Sequence, residues 1–315
     1  MRDQLPSQLL PAAEGSPIIE QLHTFRDGPG SILESDILET YEAHVGYWEQ
    51  QFNRALDLAA VYHLGPQWRP DGPQMYDIEC GLNYMQGHII PGTAVASEVA
   101  GEAGVPRYLV VGTYALHDTI EDHKHIDRGV LIADGVDPYL AHNADELHYK
   151  DVDYHNNSLR VSRSPVLAAA KGSDNLINVA NTSLFHRHEK PAKVLKRLRQ
   201  YPLSAAHLGS VVFGEQLRVD PDVLCTQAQD MPEAAFTQLV DAMHLMRTNV
   251  MRMVRSSPLA GEVRAAPLSG NEIRDVFLLL APTIHGLLSG LCVVKEPLAV
   301  VGDLAEELHT ADVIV

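Results

Sequence analysis

The sequence predicts an all-α protein, because its apolar residues recur at three- and four-residue steps, the spacing of one buried helix face. One such stripe lies near the start of the chain and consists of Ile37, Leu38, Tyr41, Val45, Trp48, Phe52, Leu56 and Ala59. Another lies far downstream and consists of Phe236, Leu239, Val240, Met243, Met246, Val250 and Met253. A proline such as Pro91 indicates where a helix begins, since proline is tolerated in the first helical turn.

The composition is that of a globular protein that can bury a large core. The chain has 315 residues, of which 45% are hydrophobic and 21% are charged. It carries 24 Lys and Arg against 41 Asp and Glu, so its net charge of −17 disfavours binding to nucleic acid polymers. An anionic substrate would therefore need a local basic pocket. The three cysteines are far apart, which argues against a disulfide framework and favours a reducing cytoplasm.

The first part of the chain is expected to alternate helices with proline- and glycine-rich connections. Residues 1–35 contain several Pro, Gly and Ser and predict an N-terminal arm. A helix follows from Asp36 to about Leu64, and a loop extends from there to about Gly87. Pro91 then opens the next helix.

The middle of the chain contains one segment whose type the periodicity leaves open. Residues 108–121 are nearly continuously apolar up to His117, which fits either a buried strand or a buried helix. Residues 122–157 are polar and predict short helices and loops, whereas residues 165–181 are again helical in pattern. A basic helix over residues 190–199 is expected to end near Pro202.

We place the main domain boundary after this basic helix, which gives a domain at residues 36–203 and a helical C-terminal region at residues 204–315. That region is expected to be a packing or oligomerisation element, through which the chain would form a homo-oligomer. Within it, residues 276–294 carry no formal charge and are nearly long enough to cross a bilayer. The polar residues in this stretch favour a buried helix interrupted near Pro282, without a membrane.

The segment with the most chemical information is His117 to Asp122. On a helix, Asp118, Glu121 and Asp122 would share one face, since three- and four-residue steps return to nearly the same direction. Three carboxylates on one face repel one another, and a divalent cation would neutralise that repulsion. The alternative is a solvated acidic helix face, but the apolar run before His117 indicates that the motif begins inside the core.

A second carboxylate lies in an apolar helical segment further along the chain. Asp174 and Asn178 are four residues apart and therefore point the same way on a helix. A buried carboxylate needs a partner, and a metal ion is one that suffices. The alternative is that Asp174 and Asn178 only cap or bridge a turn.

Taken together, these motifs resemble the HD hydrolase superfamily, and within it the alarmone-hydrolase branch. That branch contains the hydrolase domain of the RelA/SpoT proteins and the small stand-alone alarmone hydrolases. The resemblance rests on the residues 117–122 and 171–178, with the upstream His88 lying 29 residues before His117 and Asp174 lying 56 residues after Asp118. It covers about residues 55–203 and implies an HD-domain helical bundle.

The resemblance implies a single metal site, with manganese as the usual ion of the branch, and its ligands would be His88, His117, Asp118 and Asp174. Glu121 and Asp122 resemble the pair that positions and activates the attacking water. The ion would leave coordination positions for water and for a phosphate oxygen, and it would act on both.

The resemblance also implies contacts to a nucleotide. Asn178 resembles a residue that faces the ribose and phosphates, and Arg69 resembles an arginine that packs on the base. For Arg69 the alternative is a solvent-facing loop residue. Lys171 is a further candidate for holding the anionic substrate. Arg163 is another such candidate. The remaining candidates, for which a solvated helix face is the alternative, are Lys190, Lys193, Lys196, Arg197 and Arg199.

Three functions remain open at this stage. The leading one is a manganese-dependent pyrophosphohydrolase that removes the 3′ pyrophosphate of a guanosine polyphosphate such as ppGpp. Residues 123–153 depart from the branch's pattern, which favours as an alternative a phosphohydrolase for another nucleotide or for a phosphate ester of specialised metabolism. A third function, a non-catalytic nucleotide-binding regulatory module, predicts a broken ligand set, whereas all proposed ligands are present.

Overall fold

The computed structural model describes residues 31–77, 81–148, 154–182, 191–216, 232–260 and 265–294, with short stretches at 299–300, 303–304 and 306–307. The predicted N-terminal arm falls almost wholly outside the described residues, since the first described helix begins at Ser31. Lys190, Cys80 and Cys225 also lie outside them.

The described residues are almost entirely helical, which confirms the all-α class. The first six helices are α1 (Ser31–Thr40), α2 (Val45–Leu64), α3 (Ile90–Ala103), α4 (Arg107–Asp122), α5 (Arg128–Ala133) and α6 (Pro138–Leu147). The next six are α7 (Tyr154–Val161), α8 (Pro165–Ala180), α9 (Pro191–Phe213), α10 (Pro232–Ser256), α11 (Gly270–Asp275) and α12 (Ala281–Val294). Short 3-10 helices occur at Tyr41–His44 and Pro258–Ala260, and π-helical turns at Met85–Ile89 and Val276–Leu280. One small antiparallel hairpin pairs β1 (Met75–Asp77) with β2 (Leu82–Asn83).

Several helices begin where the sequence supplies a cap and a proline. The Ser164 side chain accepts a hydrogen bond from the Leu167 amide at the start of α8, and Pro165 is the first residue of that helix. The Asp137 side chain likewise accepts a hydrogen bond from the Tyr139 amide at the start of α6. Each cap satisfies an amide that has no partner within its own helix, so both helix starts are fixed by local sequence.

The apolar segment at residues 108–121 is the central helix α4, which settles the choice between strand and helix. Its residues from Leu109 to Leu116 are buried on all sides because α2, α3, α6 and α8 pack around it. A side chain at Gly92 would overlap the hydroxyl of Tyr114, so α3 approaches α4 closely only because residue 92 is glycine. This packing brings α3, α4 and α8 together at one place.

The predicted end of the basic helix near Pro202 was wrong, because α9 continues through Pro202 to Phe213. A proline inside a helix removes one backbone hydrogen bond and crowds the carbonyl four residues earlier. Here α9 lies against α8 and α12, and Leu198, Ala205 and Leu208 are completely buried. Tertiary packing thus outweighs the local cost, and the boundary placed at residue 203 falls inside a helix.

The described part of the C-terminal region shares the hydrophobic core of the first domain. Helix α10 packs on α3, α8 and α12. The apolar stretch Gly270–Val293 forms one long helix of 24 residues with a mean hydropathy of 2.0, and 67% of its most apolar part is buried inside the molecule. It behaves as the core helix that the sequence predicts, although a π-turn at Val276–Leu280 replaces the interruption expected near Pro282.

Candidate metal centre

Three separate segments bring the four predicted metal ligands to one point. His88 lies in the π-turn that leads into α3, His117 and Asp118 lie on α4, and Asp174 lies on α8. The Nε2 atoms of His88 and His117 are 3.2 Å apart. Asp118 Oδ2 lies 3.3 Å from the first and 2.9 Å from the second of these nitrogens. Asp174 Oδ1 lies 3.4 Å and 3.5 Å from the same two atoms.

These spacings fit donors that share a divalent ion. Two ligand atoms each about 2.1 Å from an ion lie about 3.0 Å apart at a right angle and about 3.4 Å apart at the tetrahedral angle. The donor atoms of His88, His117 and Asp118 all lie within 4.8 Å of one another. Asp174 faces both imidazoles from the opposite helix. Two imidazole nitrogens with carboxylate oxygens suit a divalent transition ion, so this group can hold a metal.

The hydrogen bond behind His117 prepares its ring for metal binding. His117 Nδ1 lies 2.6 Å from the Tyr114 carbonyl oxygen, and only a protonated nitrogen can bond to that acceptor. Nε2, the atom that faces Asp118 and His88, is therefore the nitrogen that can bind an ion, once the ion displaces the proton that the two carboxylates stabilise there. Behind His88, the ring of Tyr76 stacks on the imidazole at 5.6 Å between centroids. A hydrogen bond thus holds the His117 ring and stacking restrains the His88 ring, and both rings present Nε2 to the shared point.

The electrostatics of the centre favour positive charge. His88, His117 and Asp174 are almost completely buried. Burial alone would raise the pKa of Asp118, but the adjacent His117 and His88 hold it well below its usual value. Burial would lower the pKa of His117, yet Asp118 and Asp174 raise it to about 10. Two carboxylates kept ionised around two imidazoles stabilise a cation between them.

Lys171 and Asn178, the predicted substrate contacts on α8, both bind Asp174. Lys171 Nζ lies 2.6 Å from Asp174 Oδ2, and Asn178 Nδ2 donates to Asp174 Oδ1 at 2.7 Å. Burial would lower the pKa of Lys171, but Asp174 raises it well above its usual value, so the lysine is charged. In this structure the two side chains orient the Asp174 carboxylate, and their contact with a substrate stays a prediction.

Glu121 and Asp122 end α4 beside the cluster, as the helical spacing predicts. The Glu121 side chain is 42% exposed, and its Oε2 lies 4.0 Å from His148 Nδ1. Partial desolvation raises the pKa of Glu121, Lys171 opposes that rise and Asp118 adds to it. Asp122 Oδ2 accepts a hydrogen bond from Gln74 Nε2 at 2.7 Å. Both carboxylates thus remain accessible to water next to the buried predicted ligands.

Arg69 is not the solvent-facing loop residue that was its alternative. It is half-buried, its Nη2 donates to Gln74 Oε1, and the same nitrogen lies 3.4 Å from His123 Nε2. The arginine therefore lies on the Asp122 side of the centre. Its predicted contact with a base stays untested.

The other basic candidates lie on the surface or outside the described residues. Lys193, Lys196 and Arg199 on α9 are exposed, as is Arg163 before α8, whereas Arg197 is half-buried. The solvated alternative holds for Lys193, Lys196 and Arg199.

Sequence reasoning missed three side chains that contact the centre, all from the connection between α2 and α3. The hydroxyl of Tyr84 donates to Asp118 Oδ2, Tyr76 stacks on His88, and Gln74 binds Asp122. Burial, then Asp118 and Asp122, raise the pKa of Tyr84 well above its usual value, so it stays a donor. The unusual length of this connection was the one available signal.

Searches of protein-family models, curated proteins and solved structures found no match to this chain. The resemblance to the HD superfamily therefore rests on the order and spacing of the motifs.

Proposed function

We propose that this protein is a metal-dependent phosphohydrolase of the HD type. The observation that carries the proposal is the convergence of His88, His117, Asp118 and Asp174, from three segments, with the facing donor atoms 2.9–3.5 Å apart. A purely structural cluster would not need two imidazole nitrogens directed at each other and at two buried carboxylates.

These four side chains would hold the ion, for which we propose Mn²⁺ from the motif resemblance. When bound, it would supply a Lewis acid that polarises a phosphate oxygen and lowers the pKa of a water molecule. Tyr84 and Tyr114 fix the direction of Asp118 and His117, and Lys171 with Asn178 fixes Asp174. The protein thus presents a preformed donor set, which keeps the reorganisation needed on binding small.

Glu121 and Asp122 are the proposed acceptors of the proton that the attacking water loses. They lie one turn beyond Asp118 on the same face of α4 and are open to solvent. The raised pKa of Glu121 makes its carboxylate a stronger base than an ordinary glutamate. With either residue, the water oxygen would attack phosphorus while its proton moves to the carboxylate. The bond from phosphorus to the ester oxygen of the leaving group would break, and the proton would pass from the carboxylate to that oxygen.

The proposed substrate class is a guanosine polyphosphate such as ppGpp, from which the enzyme would release the 3′ pyrophosphate. The motif resemblance supports this class, and Arg69 beside the accessible carboxylates supplies a cation on a chain of net charge −17. The α5–α6 segment favours a second candidate, another nucleotide or phosphate ester. It departs from the branch's pattern and brings His148 to 4.0 Å from Glu121, where it can reshape the pocket.

A metal-supplemented hydrolysis screen tests the proposal. Purified protein is incubated with Mn²⁺, Mg²⁺ or Zn²⁺ and a panel of ppGpp, nucleoside triphosphates and NADPH, and released phosphate and pyrophosphate are measured separately. We expect pyrophosphate from ppGpp with Mn²⁺. Asp118→Ala should abolish release, whereas Asp241→Ala, which changes an exposed carboxylate on α10, should match the wild type.

The screen also separates the candidates. Cleavage of a comparator but not of ppGpp would contradict the alarmone substrate and leave the metal chemistry standing. No release from any substrate by a protein that holds its metal would favour the non-catalytic binding module instead.

A further inference from the structure

Gln74 occupies a position that the proposed reaction does not yet use. It lies just before β1, and its backbone is tied on both sides. Its amide donates to the His63 carbonyl at 2.8 Å, and its carbonyl accepts from the Tyr84 amide at 2.8 Å. The Gln74 main chain therefore bridges the end of α2 and the residue after β2. Its side chain points at the carboxylate of Asp122.

The orientation of the Gln74 amide follows from its partners. Arg69 can only donate hydrogen bonds, so the amide atom that faces its Nη2 must be the oxygen. His63 Nδ1 lies 2.8 Å from that oxygen and must carry a proton to bond to it. Burial lowers the pKa of His63, so this proton belongs to a neutral ring. Two donors thus fix Oε1, and the Gln74 NH₂ group is left for Asp122.

The contact with Gln74 engages one of the two Asp122 carboxylate oxygens. Because Gln74 Nε2 donates at 2.7 Å, Asp122 Oδ2 is an acceptor. One oxygen is engaged by the protein, so Oδ1 is the atom left to take a proton. His63, with its side chain completely buried, supports the arrangement from α2 at 4.0 Å from the same Asp122 oxygen.

We propose that Gln74 is a positioning residue that holds Asp122 in the orientation needed to accept a proton from water, with Arg69 and His63 fixing the amide. The inference rests on the proposed hydrolytic function. It assigns Arg69 a role through Gln74 and Asp122 in addition to any contact with substrate.

Two substitutions of Gln74 are expected to change different quantities, the turnover number in one variant and the pH profile in the other. Gln74→Met keeps the length of the side chain but removes the donor, so kcat should fall about tenfold or more at a nearly unchanged KM. Gln74→Glu puts a second carboxylate against Asp122, and like charges raise the pKa of the pair. The acidic limb of the kcat/KM profile should then move upward by about one pH unit. Among the described residues of the elements packed against it, the charged and titratable groups that face Asp122 are His63 from α2 and Tyr84 from the segment before α3, with Arg69 reaching it through Gln74.

Gln67→Glu is the matched control, because it adds the same charge in the same loop at an exposed position. Metal content and thermal stability are measured for every variant. Wild-type kcat and pH profile in both Gln74 variants would overturn the inference. So would a loss of turnover that follows loss of metal or of the folded state, since Gln74 would then be a structural residue only.

A measurement that needs no turnover separates this inference from the proposed function. The Asp122 carboxyl is titrated by carbon NMR in the Zn²⁺-loaded protein, with its signal assigned by its disappearance in Asp122→Asn. Its pKa should be higher in Gln74→Glu than in wild type and unchanged in Gln67→Glu. An unchanged pKa of Asp122 in Gln74→Glu would show that residue 74 does not contact Asp122 and would overturn the inference. If the pKa of Asp122 shifts in Gln74→Glu but the protein hydrolyses no substrate, the contact between the two side chains is supported. Its catalytic role and the proposed function are then both contradicted.

Discussion

The π-turns at Met85–Ile89 and Val276–Leu280 have the same backbone design. Each leads into a helix whose second residue is proline, and each contains a backbone bond spanning five residues, from Ile90 to Met85 and from Ala281 to Val276. Proline has no amide hydrogen and crowds the carbonyl four residues earlier, so the preceding turn widens. In both cases a threonine hydroxyl binds a carbonyl of the widened turn, Thr93 to Ile89 and Thr283 to Leu279.

The two turns differ in what they direct inward. The first directs His88 at His117 and two carboxylates, whereas the second directs Phe277 between α8 and α9. A side chain at Gly209 would overlap the Cβ of Phe277, and one at Gly172 would lie 3.0 Å from its ring. The two regions meet on α8, because Gly172 is two residues before Asp174. One local design therefore supplies a predicted metal ligand on one side of α8 and apolar support on the other.

Replacing His88, the predicted ligand in the turn at Met85–Ile89, should have the largest effect on function. His88→Ala removes one of four donors, so we expect metal content to fall from about one ion per chain to nearly none and hydrolysis to disappear with it. Elemental analysis and the phosphate assay measure both. His285→Ala, in helix α12 after the turn at Val276–Leu280, is the control and should keep its metal. Full metal in His88→Ala would remove the residue from the ligand set.

Replacing Phe277, the side chain that the turn at Val276–Leu280 directs inward, should lower stability and leave metal binding intact. Phe277 is 1% exposed, so Phe277→Ala leaves a cavity and should lower the free energy of unfolding by about 3–5 kcal/mol. The folded fraction should keep its metal, since no ligand changes. Urea denaturation gives the first quantity and elemental analysis the second. Leu279→Ala in the same turn, where the side chain is 43% exposed, should cost much less. Equal costs for the two variants would contradict the packing role of Phe277.

The accessible carboxylates separate catalysis from metal binding. Glu121→Gln or Asp122→Asn should reduce turnover by about a hundredfold while metal content and stability stay as in wild type, as expected for loss of a general base. Asp241→Asn on α10 is the matched control. If metal and turnover fall together, these carboxylates are ligands instead.

The convergence of the four predicted ligands could be predicted from sequence because these residues lie in helical segments with motif spacing. Asp118, Glu121 and Asp122 share a face of α4 for the geometric reason that the spacing gives. Gln74, Tyr76 and Tyr84 were not predictable, since a loop and a two-stranded hairpin have no periodicity that shows where a side chain points. The course of α9 through Pro202 depended on burial against α8 and α12, which a local signal does not contain.

The smallest expected effect tests whether proline causes the two π-turns. In Pro91→Ala the new amide can bond to the Gly87 carbonyl, which now accepts from Asn181 Nδ2 at 3.4 Å. The turn would then tighten toward an α-helix and rotate His88 away from His117, and metal affinity should fall about tenfold. Pro282→Ala should leave metal affinity unchanged and alter stability by no more than about 1 kcal/mol, because the only changes are one new backbone bond and a more flexible unfolded chain. Isothermal titration with Mn²⁺ and urea denaturation measure the two quantities. Unchanged affinity in Pro91→Ala would show that the contacts of Tyr76 and Asn181, and not the proline, hold the turn in its wide form.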